Sequence, residues 1–251
     1  MKTELAIYRL EDRIYGVLLS GGHPSDLICG RQPGPHRQDI FLGKVSRLVP
    51  ALDCAFVNIG SDHEAFLPLR EAPSGIRPGQ PIPVQVKKET AGDKGVLLST
   101  RISLPGPYAV YRPAGRPSRR SRLADLPENE ASDLFDNDLV RLEKLWQAAL
   151  EASAQGPVPR CLLPVGDPLH HILLSLVRPG LEKILIEGDE LFGLAFAWIR
   201  SAMPGTLPIL ALHVPAAGYG LAAVLGLLDL AGSLERRKIW LRSEERRVGL
   251  M

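Results

Sequence analysis

Two short apolar runs lie between residues 39 and 66, on either side of Pro50. Val45, Leu48 and Val49 belong to the first, while Ala55, Val57 and Ile59 alternate in the second. That is strand periodicity, and Gly60, Ser61 and Asp62 form a turn signal. A third strand is expected over 64–69. A fourth is expected over 81–87, with Ile82, Val84 and Val86 on one face, after the Pro78-Gly79 turn. Gly92, Asp93, Lys94 and Gly95 make another turn, and a fifth strand is expected over 96–100.

Five strands joined by short turns suit a small closed barrel of the OB type. The segments around it alternate differently. Residues 4–9, 13–20 and 25–29 predict three strands, with turns at Glu11-Asp12 and over 21–24. Residues 31–37 form a linker. Past the barrel, 108–111 predicts a short strand. A long helix follows from Pro127 to Ala152, its stripe made of Leu134, Leu139, Leu142, Leu145 and Trp146. After a linker at 156–159, the pattern predicts a strand over 161–164 and a helix capped by Asp167. A buried strand over 183–186, a helix over 189–203 and a strand over 207–214 complete a βαβ-like layer with the first three strands. Residues 218–232 predict a buried helix, and the stretch free of charge and proline, 216–228, is too short to span a membrane. Residues 234–243 predict a basic strand.

The chain has 251 residues and a net charge of +2, so any basic surface must be local. Its three cysteines, Cys29, Cys54 and Cys161, are far apart. They form neither a zinc site nor a disulfide framework, and Cys54 and Cys161 are expected to be buried thiols. The start of the chain lacks the apolar region of a signal peptide, which points to the cytoplasm.

Candidate chemistry sits on the barrel. Phe56 is out of phase with Ala55, Val57 and Ile59, which sets it on the outer face, and Phe66 opens the next strand beside it. Lys44, Lys87, Lys88 and Lys94 put positive charge on nearby strands and one turn. Exposed aromatics among lysines form a stacking platform for single-stranded nucleic acid. The same pattern also suits a Phe capping the barrel end among solvated lysines, and pattern alone leaves both open. Arg112, Arg116, Arg119, Arg120 and Arg122 form a run without an acid, either a phosphate contact or a solvated loop. The acids from Asp125 to Asp138 scatter around the long helix and read as a solvated face rather than a metal site. Glu4, Glu11 and Asp12 fall at strand ends and turns and are given no catalytic role. His170 and His171, adjacent on one helix, cannot both face one metal.

Several blocks, in order, carry a resemblance. Ile40-Phe-Leu-Gly-Lys-Val, Ala55-Phe-Val-Asn-Ile-Gly, Ala65-Phe-Leu-Pro-Leu and Gly92-Asp-Lys-Gly resemble the S1-type RNA-binding domain of the ribonuclease E/G family. Thr100-Arg-Ile-Ser-Leu-Pro-Gly-Pro-Tyr is similar to that family's exit from the barrel. Glu182-Lys-Ile-Leu-Ile-Glu and Leu234-Glu-Arg-Arg-Lys-Ile-Trp-Leu-Arg-Ser are similar to later blocks. The resemblance implies an α+β chain whose five-stranded S1 barrel is inserted into an RNase-H-like α/β subdomain. Its divisions would be 1–35 and 159–232 for the two parts of that subdomain, 36–107 for the barrel and 108–158 for a reduced 5′-sensor segment with the long helix. Residues 233–251 would begin a nuclease subdomain and end in an aberrant tail. Phe56 and Phe66 match the family's RNA-stacking aromatics, Lys88 and Lys94 its basic contacts, and Arg37 aligns near another. Ser118-Arg119-Arg120 is similar to the sensor region.

The chain also departs from the family. The Arg-Thr-Ala-type motif that reads a 5′ monophosphate has no counterpart, because no Arg-Thr pair occurs in residues 120–160. The family's nuclease subdomain holds Mg²⁺ on carboxylates. Here the residues after Ser243 do not resemble that continuation, so no catalytic or metal-binding residue and no cofactor is assigned to this chain. The family's Cys-x-x-Cys zinc link, which helps build its tetramer, is also missing, so no oligomer is expected. Two readings follow. One is the single-stranded-RNA-binding portion of an E/G-type endoribonuclease, truncated before its catalytic part. The other is a non-catalytic RNA-binding protein on the same scaffold. Genomic DNA downstream of codon 243 would discriminate them.

Overall fold

A computed structural model of the chain describes residues 2–31, 34–89 and 95–214. Lys94 and the elements expected over 218–232 and 234–243 lie outside the described residues. These fall into two units, one made of 2–31 with 168–214 and the other lying within Gly34–Asp167.

The chain opens with three antiparallel strands, β1 (Thr3–Leu10), β2 (Arg13–Ser20) and β3 (His23–Arg31). The middle of β1 and nearly all of β2 are buried, as expected of strands covered on both faces. The second turn is shorter than the sequence suggests. Gly21 and Gly22 take positive φ, 58° and 82°, and close a two-residue hairpin, so His23 and Pro24 pair with Ser20 and Leu19 inside the sheet.

The second unit holds the barrel. Its strands are β4 (Ile40–Val49), β5 (Cys54–Asn58), β6 (Ala65–Pro68), β7 (Pro81–Lys88) and β8 (Leu97–Ser99). They run in the order β4-β5-β6-β8-β7, and β4 pairs with β7 to close the ring. All pairings are antiparallel except β6 with β8, which is parallel. This is the expected five-stranded OB-type barrel within an α+β protein. Its core is made of the inward positions, Val45, Ala55, Val57, Ile59, Leu67, Ile82, Val84, Val86 and Leu98 among them. Closure removes the sheet edges that would otherwise invite pairing with another chain.

Past the barrel come β9 (Leu104–Pro105), β10 (Ala109–Tyr111) and β11 (Ser118–Arg119), a small three-stranded sheet. Helix α1 (Glu128–Ser153) follows, with Pro127 at its N-cap and Glu128 and Glu130 in the first turn, where the helix dipole favours acids. Its buried residues are Ala131, Asp138, Leu142, Trp146 and Ala149. Leu142 and Trp146 share a core with Ile40, Ile102, Leu104 and Ala109. Two expectations need correction here. Leu145 is exposed, because the stripe turns away from it. Asp138 is buried rather than solvated, since its carboxylate accepts from the backbone N–H of Tyr108 and Ala109, both at 2.9 Å.

The strand expected over 161–164 is β12 (Arg160–Leu163), and it pairs antiparallel with the first residues of β4. It therefore extends the barrel sheet instead of the sheet of β1, on the side of β4 that β5 leaves open. Cys161 is exposed there, contrary to expectation, whereas Cys54 is buried. Asp39 is buried where the chain enters the barrel, and accepts from the backbone N–H of His36 (2.8 Å) and Gly166 (2.7 Å). One carboxylate thus ties the first residues of this unit to its last.

The remaining described elements are α2 (Pro168–Leu176), β13 (Lys183–Glu187), α3 (Asp189–Ala202) and β14 (Leu210–His213). β13 lies parallel to β1 on one side and to β14 on the other, giving the sheet order β14-β13-β1-β2-β3. Two distant parts of the chain so build one mixed α/β sheet. Gly16 admits α2 closely, for a Cβ there would lie 2.3 Å from Cγ2 of Ile172. The last strand begins later than its apolar run suggests, because 3₁₀ turns occupy Pro204–Ile209 and Pro208 has no N–H to offer a ladder. His170 stacks on Trp198 with centroids 5.5 Å apart. Among the described residues, no helix is long and apolar enough to cross a membrane.

Candidate nucleic-acid interface

Strict alternation on β4 would send Val45 inward, Ser46 outward and Arg47 back into the core, which no arginine tolerates without a partner. The chain resolves the conflict with a β-bulge. Val45 pairs with Val57, but the next pair is Arg47 with Phe56, leaving Ser46 as the extra residue. Beyond the bulge, Leu48 faces Ala55. Arg47 and Phe56 thereby come to stand side by side on the outer surface.

From this point the register carries straight across the barrel. Phe56 pairs with Phe66, Phe66 with Leu97, and Leu97 with Lys88. Cross-strand partners share a face of the sheet, so Arg47, Phe56, Phe66, Leu97 and Lys88 form one row over five strands. Phe56, Phe66 and Leu97 are part-exposed, while Arg47 and Lys88 are exposed. The two rings meet edge to face, with centroids 6.3 Å apart and planes at 86°. The Arg47 guanidinium lies over the Phe56 ring at 4.4 Å from its centroid. A cation closes each end of an apolar and aromatic strip.

Lys44 stands opposite Asn58, two residues along β5 from Phe56 and so on the same side of that strand, about 7 Å further on. At the other end of the row, the backbone N–H of Arg37 donates to Oε1 of Glu89 at 2.7 Å, next in the chain to Lys88. The Glu89 carboxylate also raises the pKa of the His36 imidazole beside it, at 3.8 Å. The register thus brings Phe56, Phe66, Lys44 and Lys88 to one surface of the barrel, whereas Arg37 is tied by its backbone to Glu89 and its charge acts on Lys87. Lys87 is the extra residue of a second bulge, and its Nζ donates to the carbonyl of Arg101 at 3.4 Å, away from the row.

No family model matches the chain. Among curated relatives, ribonuclease E of Haemophilus influenzae is 28% identical over 250 residues, covering 81% of this chain and 27% of the relative. Ribonuclease E of Buchnera aphidicola subsp. Schizaphis graminum is 33% identical over 240 residues, covering 78% of this chain and 25% of the relative. Ribonuclease G of Haemophilus influenzae is 28% identical over 214 residues, covering 66% and 43%. The chain belongs to the ribonuclease E/G family. It spans about a quarter to a third of the length of the first ribonuclease E relatives it matches.

In this ribonuclease E/G family member the two arginines singled out beyond the barrel stand elsewhere. Arg119 lies on β11, where Nη1 meets Oε1 of Glu128 at 2.8 Å and Nη2 donates to Oγ of Ser132 at 2.9 Å. The same guanidinium lies 5.4 Å from the Phe135 centroid. It clamps β11 onto α1, and it holds the Glu128 carboxyl below its ordinary pKa. Arg120 donates its backbone N–H to the carbonyl of Tyr108 at 2.9 Å. Neither arginine shares a strand or a register position with the aromatic row. Among the described residues, no group of three His, Cys, Asp or Glu side chains is placed to hold a metal ion.

Sequence reasoning missed Arg47, Leu97 and Glu64. The signal for Arg47 was present, because a charge at a position that alternation assigns to the core marks a bulge. Leu97 and Glu64 gave no such signal. Each reads as an ordinary residue of an expected strand.

Proposed function

We propose that this chain binds single-stranded RNA across the outer face of its barrel, as the RNA-binding portion of an E/G-type endoribonuclease of cytoplasmic RNA processing and decay. The observation that carries the reading is the row from Arg47 through Phe56, Phe66 and Leu97 to Lys88. Bases stack on ring faces with little regard to sequence, while lysines and arginines alongside meet the phosphates. The names of the relatives, ribonuclease E and ribonuclease G, agree with RNA as the ligand class. The test is a titration of the 251-residue chain with a short unstructured RNA at several salt concentrations. Three phosphate contacts, from Lys44, Lys88 and Arg47, would give a log–log salt slope of about −2, and a fourth from Arg37 would bring it to about −3. A chain that does not bind, or binds without salt dependence, overturns the proposal.

Binding is expected to be indifferent to the 5′ end of the RNA, because residues 120–160 lack an Arg-Thr pair and Arg119 is engaged by α1. The measurement compares oligonucleotides bearing a 5′ hydroxyl and a 5′ monophosphate. A preference of about tenfold or more for the monophosphate, about 1.4 kcal/mol, would mean that Arg116 or Arg120 has built a pocket of its own.

The 251-residue chain alone is expected to bind RNA without cleaving it, since metal-assisted phosphodiester hydrolysis needs carboxylates converging on an ion near the scissile bond. A fluorogenic single-stranded RNA incubated with the chain and Mg²⁺ checks this. Cleavage that copurifies with the protein and vanishes on mutating one of its own acids would overturn it.

A further inference from the structure

Phe56 is not an open platform in the free protein. Arg47 covers one face of its ring at 4.4 Å, and Nη2 of the same arginine lies 3.2 Å from Oε2 of Glu64. Glu64 immediately precedes β6, whose Ala65 pairs with Val57 next to Phe56. The ring therefore has one face beneath a guanidinium, which a neighbouring carboxylate holds down. A base cannot stack on that face while the guanidinium occupies it.

We propose that Arg47 and Glu64 form a latch over the stacking face. Glu64 parks the guanidinium on Phe56 when RNA is absent. The backbone of a single-stranded RNA draws Arg47 off, replacing the carboxylate by a phosphate, and opens the ring to a base. The proposal rests on the RNA-binding reading above and adds how that site opens.

Three observations carry it. Both partners are solvent-exposed, with 61% of the Arg47 side chain and 38% of the Glu64 side chain accessible, so the pair is weak enough to exchange. The bulge at Ser46 sets Arg47, rather than a serine, opposite Phe56. A bulge next to a functional surface commonly re-aims a side chain in this way. Arginine is also the residue suited to both states, because its planar guanidinium stacks on a ring and forks onto a phosphate.

The experiment measures RNA affinity and salt slope for the 251-residue chain and four variants: Glu64→Gln, Arg47→Ala, their double mutant and Phe56→Ala. Releasing the latch by Glu64→Gln is expected to tighten binding about two- to fivefold. Arg47→Ala is expected to make the salt slope shallower by about 0.7, the signature of one lost phosphate contact on a single strand. In the Arg47→Ala background, Glu64→Gln should have no further effect. An equal tightening in both backgrounds would mean that Glu64→Gln merely removes a negative charge, and would overturn the latch. So would an unchanged salt slope in Arg47→Ala. If Phe56→Ala weakens binding while Glu64→Gln is silent, the latch fails and the RNA-binding face stands. If the parent chain does not bind RNA, both fail. Thermal melts of the two exposed-site variants confirm that each remains folded.

Discussion

Asp138→Ala is expected to destabilise the barrel-bearing unit by about 3 kcal/mol, the larger part of it from two backbone donors left without an acceptor at about 1–3 kcal/mol each. The residue is 4% exposed. Its Oδ2 accepts from the N–H of Tyr108 and of Ala109, while its Oδ1 takes Arg141 through Nε at 3.2 Å and Nη2 at 2.7 Å. The carboxylate thereby fastens β10 to α1 at the point where the chain leaves the barrel. Space confirms how closely the two approach, since a Cβ on Gly106 would lie 2.2 Å from Oδ2. Urea unfolding followed by tryptophan fluorescence checks the prediction, because Trp146 packs on the same face of α1. Asp138→Asn should cost less. Its carbonyl keeps the backbone donors, but its amide meets Arg141 donor to donor. A loss below about 1 kcal/mol for Asp138→Ala would mean that the two N–H groups find other acceptors.

Asp138 also shows what counting charges hides. Taken with its acidic neighbours it reads as part of a solvated face. Taken with position, it falls on the stripe of Ala131, Leu142, Trp146 and Ala149, where an unpaired carboxylate would be costly. The barrel strands were legible because stretches such as Ala55–Ile59 and Ile82–Val86 place apolar residues at every second position, between short turns. Phe56 was legible as a break in that period, as were the mixed sheet and its helices from their apolar runs. What the sequence hid depends on partners far away in the chain. The attachment of β12 to β4 is decided by the open side of a strand some 120 residues earlier, and nothing within Arg160–Leu163 names that partner. Arg119 reads as a free cation of a basic loop, yet Glu128, Ser132 and Phe135 on α1 claim its guanidinium. Loop charges become phosphate contacts only when no element of the fold engages them first. The late start of β14 was hidden for a local reason, because Leu207, Ile209 and Leu210 suit 3₁₀ turns and a strand alike until Pro208 decides.

Phe56→Ala is expected to weaken binding of single-stranded RNA roughly 5- to 150-fold, the loss of one base stack worth roughly 1–3 kcal/mol. The ring stands second in the row, between the cation of Arg47 and the ring of Phe66. Phe66→Ala should fall in the same range. It also loosens the edge-to-face contact, so the two losses should not add, as is usual for touching residues. The barrel core does not depend on either ring, because the positions flanking them, Ala55, Val57, Ala65 and Leu67, are the ones turned inward. Phe56→Ala should therefore keep its melting temperature to within a few degrees, and binding can be read on folded protein. Phe56→Tyr supplies the complementary measurement, since it keeps a stacking face and adds a hydroxyl at the wet edge. Near-parental affinity in Phe56→Tyr together with loss in Phe56→Ala identifies stacking as the cause. Equal loss in both would point instead to the packing of Arg47 and Phe66 around the ring. A folded Phe56→Ala that binds like the parent would remove the Phe56 ring from the RNA-binding surface and leave the cations around it, Lys44 and Lys88 among them, to act through charge.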